Sequence, residues 1–286
     1  MLHERLLGAA LGLPLLLVLL VADAFPQLQG LPLLAVIVLV CVVSGEEITG
    51  LLRAKGWEPP RYSGALMASL PPLFLYFHQR DYSDYVLAVL TLAIVVDVLL
   101  VALGLISDAA RRLWAALRDF AVTALLAAYV GFSLSYLLFL RQLGEGYPMP
   151  ANIWPVVLAF LLGWLTDSAA FFGGRYFGRH PLWPRLSPRK TWEGLVLGIV
   201  GAMVVMVAFG FTPPGRALGI IGAFWLGALL GLVGHAGDLA ESALKRWAGV
   251  KDSGTIMLGA GGMLDVFDSL FPLMPALYYS LVHLVR

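Results

Sequence analysis

Asp238, Glu241, Ser242 and Lys245 stand at i, i+3, i+4 and i+7. On a helix this spacing makes a single polar face about 10 Å long, at a rise of about 1.5 Å per residue. Arg246 and the pair Lys251-Asp252 follow, then a glycine-rich turn, Gly259-Ala-Gly-Gly262, and then Asp265 and Asp268 at i, i+3. Glycines let backbone N–H groups come close to a phosphate, and a helix N-terminus favours an anion. Carboxylates converging beside such a turn repel one another unless a cation sits between them. Hard oxygen ligands that also face phosphate suit Mg²⁺, with the choice between one cation and two left open. The pattern points to phosphate chemistry, with Asp238, Asp265 and Asp268 as metal-type carboxylates. A purely structural charge network is the plainer alternative.

Two further segments bring suitable residues to the same region. Asp167 falls late in an apolar run, where an acidic residue costs about 2.5–3.5 kcal/mol on insertion scales and so needs a partner or a use. Around it, Ser168, Ala169, Ala170, Gly173 and Gly174 are small enough for close helix approach, and Arg175 is the partner a purely structural role would require. The string Ser187-Pro-Arg-Lys-Thr-Trp-Glu-Gly194 links this run to the next. Ser187 and Thr191 can donate to phosphate oxygens and Lys190 supplies a point charge, while Glu193 and Gly194 open a helix. Such a basic loop can also serve only topology or anionic lipid heads. His235 is expected to be packed rather than catalytic, and Trp192, Trp225 and Trp247 to be interface anchors.

The elements that position these residues are membrane spans. The chain has 286 residues, 60% of them hydrophobic and only 13% charged, against about 25% charged in soluble domains. A span needs about 20 mostly apolar residues. Nine runs qualify or nearly do: 6–22, 31–45, 64–78, 85–106, 118–139, 152–173, 193–212, 217–238 and 268–285. The first is read as a retained span rather than a cleaved leader. The runs are continuous rather than alternating, so strands are not expected. Residues 45–55, with Glu46, Glu47, Arg53 and Lys55 among apolar neighbours, suggest a short interfacial helix or a solvated loop. Residues 1–150 then form an N-terminal group of about five spans, and residues 151–286 a catalytic region of about four. The single cysteine, Cys41, can form no intrachain disulfide, and a net charge of +1 offers nothing to a nucleic acid.

At these motifs the chain resembles the phosphatidate cytidylyltransferases, also called CDP-diacylglycerol synthases. That family's signature reads Ser-x-x-Lys-Arg, four residues, Lys-Asp, a Pro-Gly-His-Gly-Gly turn and Asp-Arg-x-Asp. Here the stretch is Ser242-Ala-Leu-Lys245-Arg246, Lys251-Asp252, Leu258-Gly-Ala260-Gly-Gly262 and Asp265-Val266-Phe-Asp268. The resemblance is specific from about Asn152 onward; Leu258, Ala260 and Val266 depart from it. It implies an all-α polytopic membrane enzyme that joins CTP to phosphatidate, with a divalent metal at Asp238, Asp265 and Asp268 and with Asp167 as a weaker candidate. Lys245, Arg246 and Lys251 would hold triphosphate or lipid phosphate, and Ser187, Lys190 and Ser242 would position phosphates. Arg175, Thr191, Glu193, Glu241, Asp252, Gly261 and Gly262 complete the substrate-side set. A homodimer is compatible with this reading. So are a CTP-dependent lipid kinase, a cytidylyltransferase for another lipid phosphate, or an inactive relative or transporter.

With the N-terminus inside, fifteen of the nineteen Lys and Arg residues fall in cytoplasmic loops, and only Arg80, Arg141, Arg216 and Arg286 fall outside. Lys and Arg favour the inner side, which in a bacterial-type cell membrane is the cytoplasm. Loops 174–192 and 239–264 should therefore face the cytoplasm. Cysteines placed in them, in a Cys41→Ala background, are expected to react only from that side. Labelling of position 253 from outside would overturn the topology.

Overall fold

The computed structural model describes residues 22–23, 25–78, 108–148, 151–184, 186–256 and 261–285. The runs 6–22 and 85–106 lie almost wholly outside this set, as do Arg5, Arg80, Arg286, Leu258 and Ala260. The remaining runs are helices: α1 (Leu31–Ala54), α2 (Ser63–His78), α3 (Asp108–Leu143), α4 (Trp154–Phe177), α5 (Trp192–Gly210), α6 (Gly219–Ala248), α7 (Met263–Phe267) and α8 (Leu270–Val285). Among the described residues, five helical segments are long and apolar enough to cross a membrane, and α2 is a shorter apolar helix. Among the described residues the chain is an all-helical membrane protein but for one small hairpin.

That hairpin corrects the expectation of no strands. β1 (Pro181–Trp183) pairs antiparallel with β2 (Ser187–Thr191) between α4 and α5. A polar, proline-interrupted link cannot continue either helix, and cross-strand pairing satisfies its backbone groups instead. Thr191 then starts α5 as its N-cap, accepting from the Gly194 N–H at 3.1 Å.

Residues 45–55 are a second correction. They form neither a separate interfacial helix nor a loop, but continue α1 to Ala54. Glu47, which would oppose burial, is only 7% exposed. Its carboxylate is occupied by hydrogen bonds from the far end of the chain, so the helix can stay in the core.

Helices adjacent in sequence pack in space: α1 on α2, α2 on α3, α4 on α5, and α5 on α6, with α8 lying against α3, α4 and α6. Small residues make these approaches possible where apolar lipid offers no drive to associate. At Gly45 and Gly64 the backbones of α1 and α2 nearly touch: a Cβ on Gly45 would lie 2.3 Å from the Gly64 carbonyl oxygen. Gly237 of α6 matters more for the site. A Cβ there would meet the Asp268 carbonyl oxygen at 2.5 Å and the Pro272 ring at 2.6 Å. The missing side chain is what lets the α7–α8 junction lie against α6 beside Asp238.

Gly237→Ala should therefore force backbone apart, with a loss of about 1–3 kcal/mol typical of overpacking. A melting temperature several degrees below wild type is expected in detergent. Gly50→Ala on α1, where an added Cβ meets nothing within 4 Å, is the control and should hold or raise it.

Candidate active site

One end of the bundle gathers the chemistry. α6 runs unbroken through Asp238, Glu241, Ser242 and Lys245, so the helical spacing becomes a real face. The hairpin leans over it. Lys190 of β2 pairs with Asp238 at 2.6 Å and reaches the Ser242 hydroxyl at 3.4 Å. Across from α6, the turn between α7 and α8 supplies Asp268, which is 8% exposed and in carboxyl contact with Asp238. Asp167 of α4 stands close enough for its charge to bear on Asp268. It accepts from the Ser269 hydroxyl at 2.9 Å rather than pairing with Arg175.

These groups open into a cleft of about 720 Å³. Of the residues singled out from the sequence, Asp167, Arg175, Ser187, Lys190, Thr191, Asp238, Asp265 and Asp268 line it. His235 lines it too, with its Nε2 buried and without a hydrogen-bond partner. Arg189 also faces the cleft. Sequence reasoning counted it only as a topological charge, although a second cation beside Lys190 was the available signal.

Asp265 is placed differently from a free metal ligand. One oxygen takes the Lys245 ammonium, and the other accepts from the Gly262 N–H at 2.7 Å, the Ser253 N–H at 2.9 Å and the Ser253 hydroxyl at 2.7 Å. Burial alone would raise its carboxyl pKa. Lys245, Gly262 and Ser253 outweigh burial and hold it below the ordinary carboxylate range. Lys245 also pairs with Glu241 one turn back on α6. The Gly262 N–H, expected to be open to phosphate, is spent on Asp265. Gly261, at φ 98°, makes the bend that allows this.

The remaining residues stand away from the cleft. Arg246 gives its guanidinium to the Leu186 and Val250 carbonyls at 3.2 and 3.0 Å, tying the hairpin to α6. Glu193 binds the His180 ring at 2.6 Å. Lys251 and Asp252 are exposed in the following loop. Trp247 meets Trp57 edge-on, with the Lys55 ammonium over its ring. Val266 packs against the core, where the signature would put an arginine.

Among the described residues, no three carboxylate, imidazole or thiol groups stand close enough to enclose an ion by themselves. Asp238 and Asp268 in contact, with Asp167 beside them, instead suit a cation that keeps most of its shell as water and phosphate oxygens.

On the other side of α6 lies an apolar groove of about 400 Å³, walled by Ile48, Leu126, Tyr129, Leu244, Trp247 and Phe271. Its floor reaches Glu241 and Asp268. Asp268 thus lines both the polar cleft and the apolar groove.

A cytidylyltransferase family model matches residues 3–284, virtually the whole chain. The chain belongs to the cytidylyltransferase family. It is 40% identical over 167 residues to a phosphatidate cytidylyltransferase of Staphylococcus saprophyticus, a stretch covering 58% of this chain and 60% of the relative. Against the protein of that name from Bacillus subtilis it is 40% identical over 157 residues, covering 55% and 56% respectively. The chain thus spans under two thirds of the length of these curated relatives.

The two aspartates of the Asp-x-x-Asp step should respond oppositely to neutralisation. Asp265→Asn strips Lys245 of a partner and turns an amide toward donors, so a loss of about 1–3 kcal/mol is expected. Asp268→Asn removes one of two facing carboxylates and keeps an oxygen for the Ser269 N–H. Without divalent cations, its melting temperature should equal or exceed wild type. Equal losses in both variants would contradict this division of roles.

Proposed function

We propose that the chain transfers the cytidylyl group of CTP to phosphatidate, giving CDP-diacylglycerol and pyrophosphate. The observation that carries this reading is Asp268, reached from a polar cleft on one side and an apolar groove on the other. A water-soluble triphosphate and a lipid phosphate can meet there without either leaving its own medium. The printed names of the curated relatives point to the same reaction.

A phosphate monoester has a second pKa of about 6, so the lipid phosphate is already anionic at neutral pH and needs no general base. One of its oxygens bonds to the α-phosphorus of CTP. The bond from that phosphorus to the β-bridging oxygen breaks, and pyrophosphate leaves with the electron pair. The protein must supply in-line placement and charge neutralisation. Arg175, Arg189 and Lys190 line the cleft as cations for the triphosphate. Lys190 holds Asp238 in this structure and can exchange that carboxylate for phosphate. Ser187 and Thr191 are the hydroxyl donors within reach of the cleft. Asp238 and Asp268, with Asp167 beside them, would hold Mg²⁺. Once bound, the ion supplies positive charge to non-bridging phosphate oxygens. Lys245 and Asp265 brace the loop behind them, and the acyl chains occupy the groove along α6.

The same reading sets the cleft at the cytoplasmic face of a nine-span protein in a bacterial inner membrane, with the N-terminus inside. It is supported by the basic residues of the hairpin and of the last turn of α6, which the Lys190–Asp238 and Arg246–Leu186 contacts bring to one end of the bundle.

Incubating the purified protein with labelled CTP, phosphatidate and Mg²⁺ should yield a CDP-lipid and pyrophosphate. A kinase would instead release CDP and a phosphorylated lipid. Asp268→Asn and Asp238→Asn should each lower turnover by at least about 100-fold, the usual effect of losing one electrostatic stabiliser at a reacting centre. Near-normal turnover in both, at saturating Mg²⁺, would remove these aspartates from the chemistry.

A further inference from the structure

Glu47 sits in α1, some two hundred residues before the signature, yet its carboxylate ends in the α6–α7 loop. Oε1 accepts from the Met263 N–H at 2.8 Å and Oε2 from the Leu264 N–H at 2.7 Å. Oε2 also lies 3.1 Å from the Ser253 hydroxyl, which in turn lies 2.7 Å from Asp265 Oδ2. Gly262, Met263 and Leu264 thus present three consecutive N–H groups, shared between Asp265 on one side and Glu47 on the other. The loop is shaped around Glu47. A Cβ on Gly254 would lie 2.6 Å from its Oε1, and one on Gly262 would lie 2.5 Å away. An acidic side chain that deep in a spanning helix needs a use, and the orphan N–H groups that open α7 provide it.

We propose that Glu47 is a positioning residue for the carboxylate site. By gripping the first N–H groups of α7, it sets the register of that short helix. It thereby fixes where Asp268, one turn beyond Leu264, meets Asp238. α7 has five residues, too few to hold its own axis, and it packs on α1 as well as on α6. Asp265 anchors the same turn to α6 through Lys245, so Glu47 and Asp265 clamp it from opposite sides. The proposal rests on reading Asp238 and Asp268 as the cation-holding pair, and it adds a requirement for α1 to that reading.

The test is Glu47→Gln in the purified full chain. The amide keeps the size of the side chain but sets an N–H donor against the backbone N–H donors. Hydrogen exchange over 261–268 should accelerate at least about tenfold, while exchange in α5 and in the middle of α3 stays as in wild type. The Mg²⁺ concentration giving half-maximal cytidylyl transfer should rise about tenfold, with the KM for phosphatidate changed by no more than about twofold. Unchanged exchange over 261–268 would overturn the proposal. So would faster exchange spread evenly through α3 and α5, which would make Glu47 a general stabiliser, and so would an unchanged Mg²⁺ requirement in an active enzyme. If Glu47→Gln does not fold, Ser253→Ala, which removes the hydroxyl between the two carboxylates, is held to the same readouts. If wild type makes no CDP-lipid, the functional reading falls and the exchange measurement alone decides the role of Glu47.

Discussion

The Lys245 ammonium and the Asp265 carboxylate join α6 to the loop that leads into α7, and most of the site hangs from that contact. Asp265 spends both oxygens on it and on its neighbours Ser253 and Gly262. A carboxylate so fully engaged is a fixed point rather than a free ligand. Because it is fixed, Asp268 three residues later is held where water is scarce and another carboxylate is near. An isolated five-residue helix could not hold such a position, since helices this short gain too few backbone bonds to offset their ordering. The clamp supplies from outside what α7 cannot supply for itself.

The hairpin works by the opposite principle. Its basic residues are held loosely enough to be given up. Lys190 touches Asp238 and Ser242, but about a quarter of its side chain remains exposed. Arg175 and Arg189 face the cleft. On the proposed function, charge on this wall could transfer to an incoming polyphosphate, whereas charge on the Asp265 side could not without dismantling the loop. One wall of the cleft thus carries exchangeable charge and the other is fixed.

Much of this was legible in the sequence because it is local. The i, i+3, i+4, i+7 pattern of Asp238, Glu241, Ser242 and Lys245 needs only one helix to become a face, and α6 is that helix. Among the described residues, the helices Trp114–Leu143, Ala151–Phe177, Trp192–Gly210 and Gly215–Ala248 follow from apolar runs of near-spanning length, whereas α1 reaches spanning length only through residues 45–54. What could not be read was which charges meet. Asp265 and Asp268 share a residue type and a three-residue spacing, and both were expected to hold a cation. Only the fold reveals that one is surrounded by donors and the other faces carboxylates. Glu47 was hidden for the same reason. In sequence it is one of two acids among apolar residues, which fits a helix at the membrane surface. Its partners lie more than two hundred residues away, and they are backbone N–H groups that leave no mark on side-chain chemistry. The hairpin escaped because its strands are short, β1 apolar and β2 polar, with no alternation to betray them.

The contact between Asp238 and Asp268 is unfavourable when nothing but protein surrounds it, and the fold is arranged to make it unavoidable. Gly237 brings the α7–α8 junction against α6, and any side chain there would push it back. Asp167 adds a third carboxylate, which accepts from the Ser269 hydroxyl. Lys190 pairs directly with Asp238. A bundle selected for stability alone would replace such a cluster with apolar residues of similar size, since buried charge rarely repays its desolvation. Retaining it leaves a cluster that a cation from outside the chain would stabilise. On the proposed function, a divalent cation carrying a polyphosphate would meet that need from the cleft, and a lipid phosphate arriving along the groove would meet both at Asp268. The residual repulsion would then be greatest in the empty site and would fall as the proposed substrates assemble, favouring the ternary arrangement over either substrate alone.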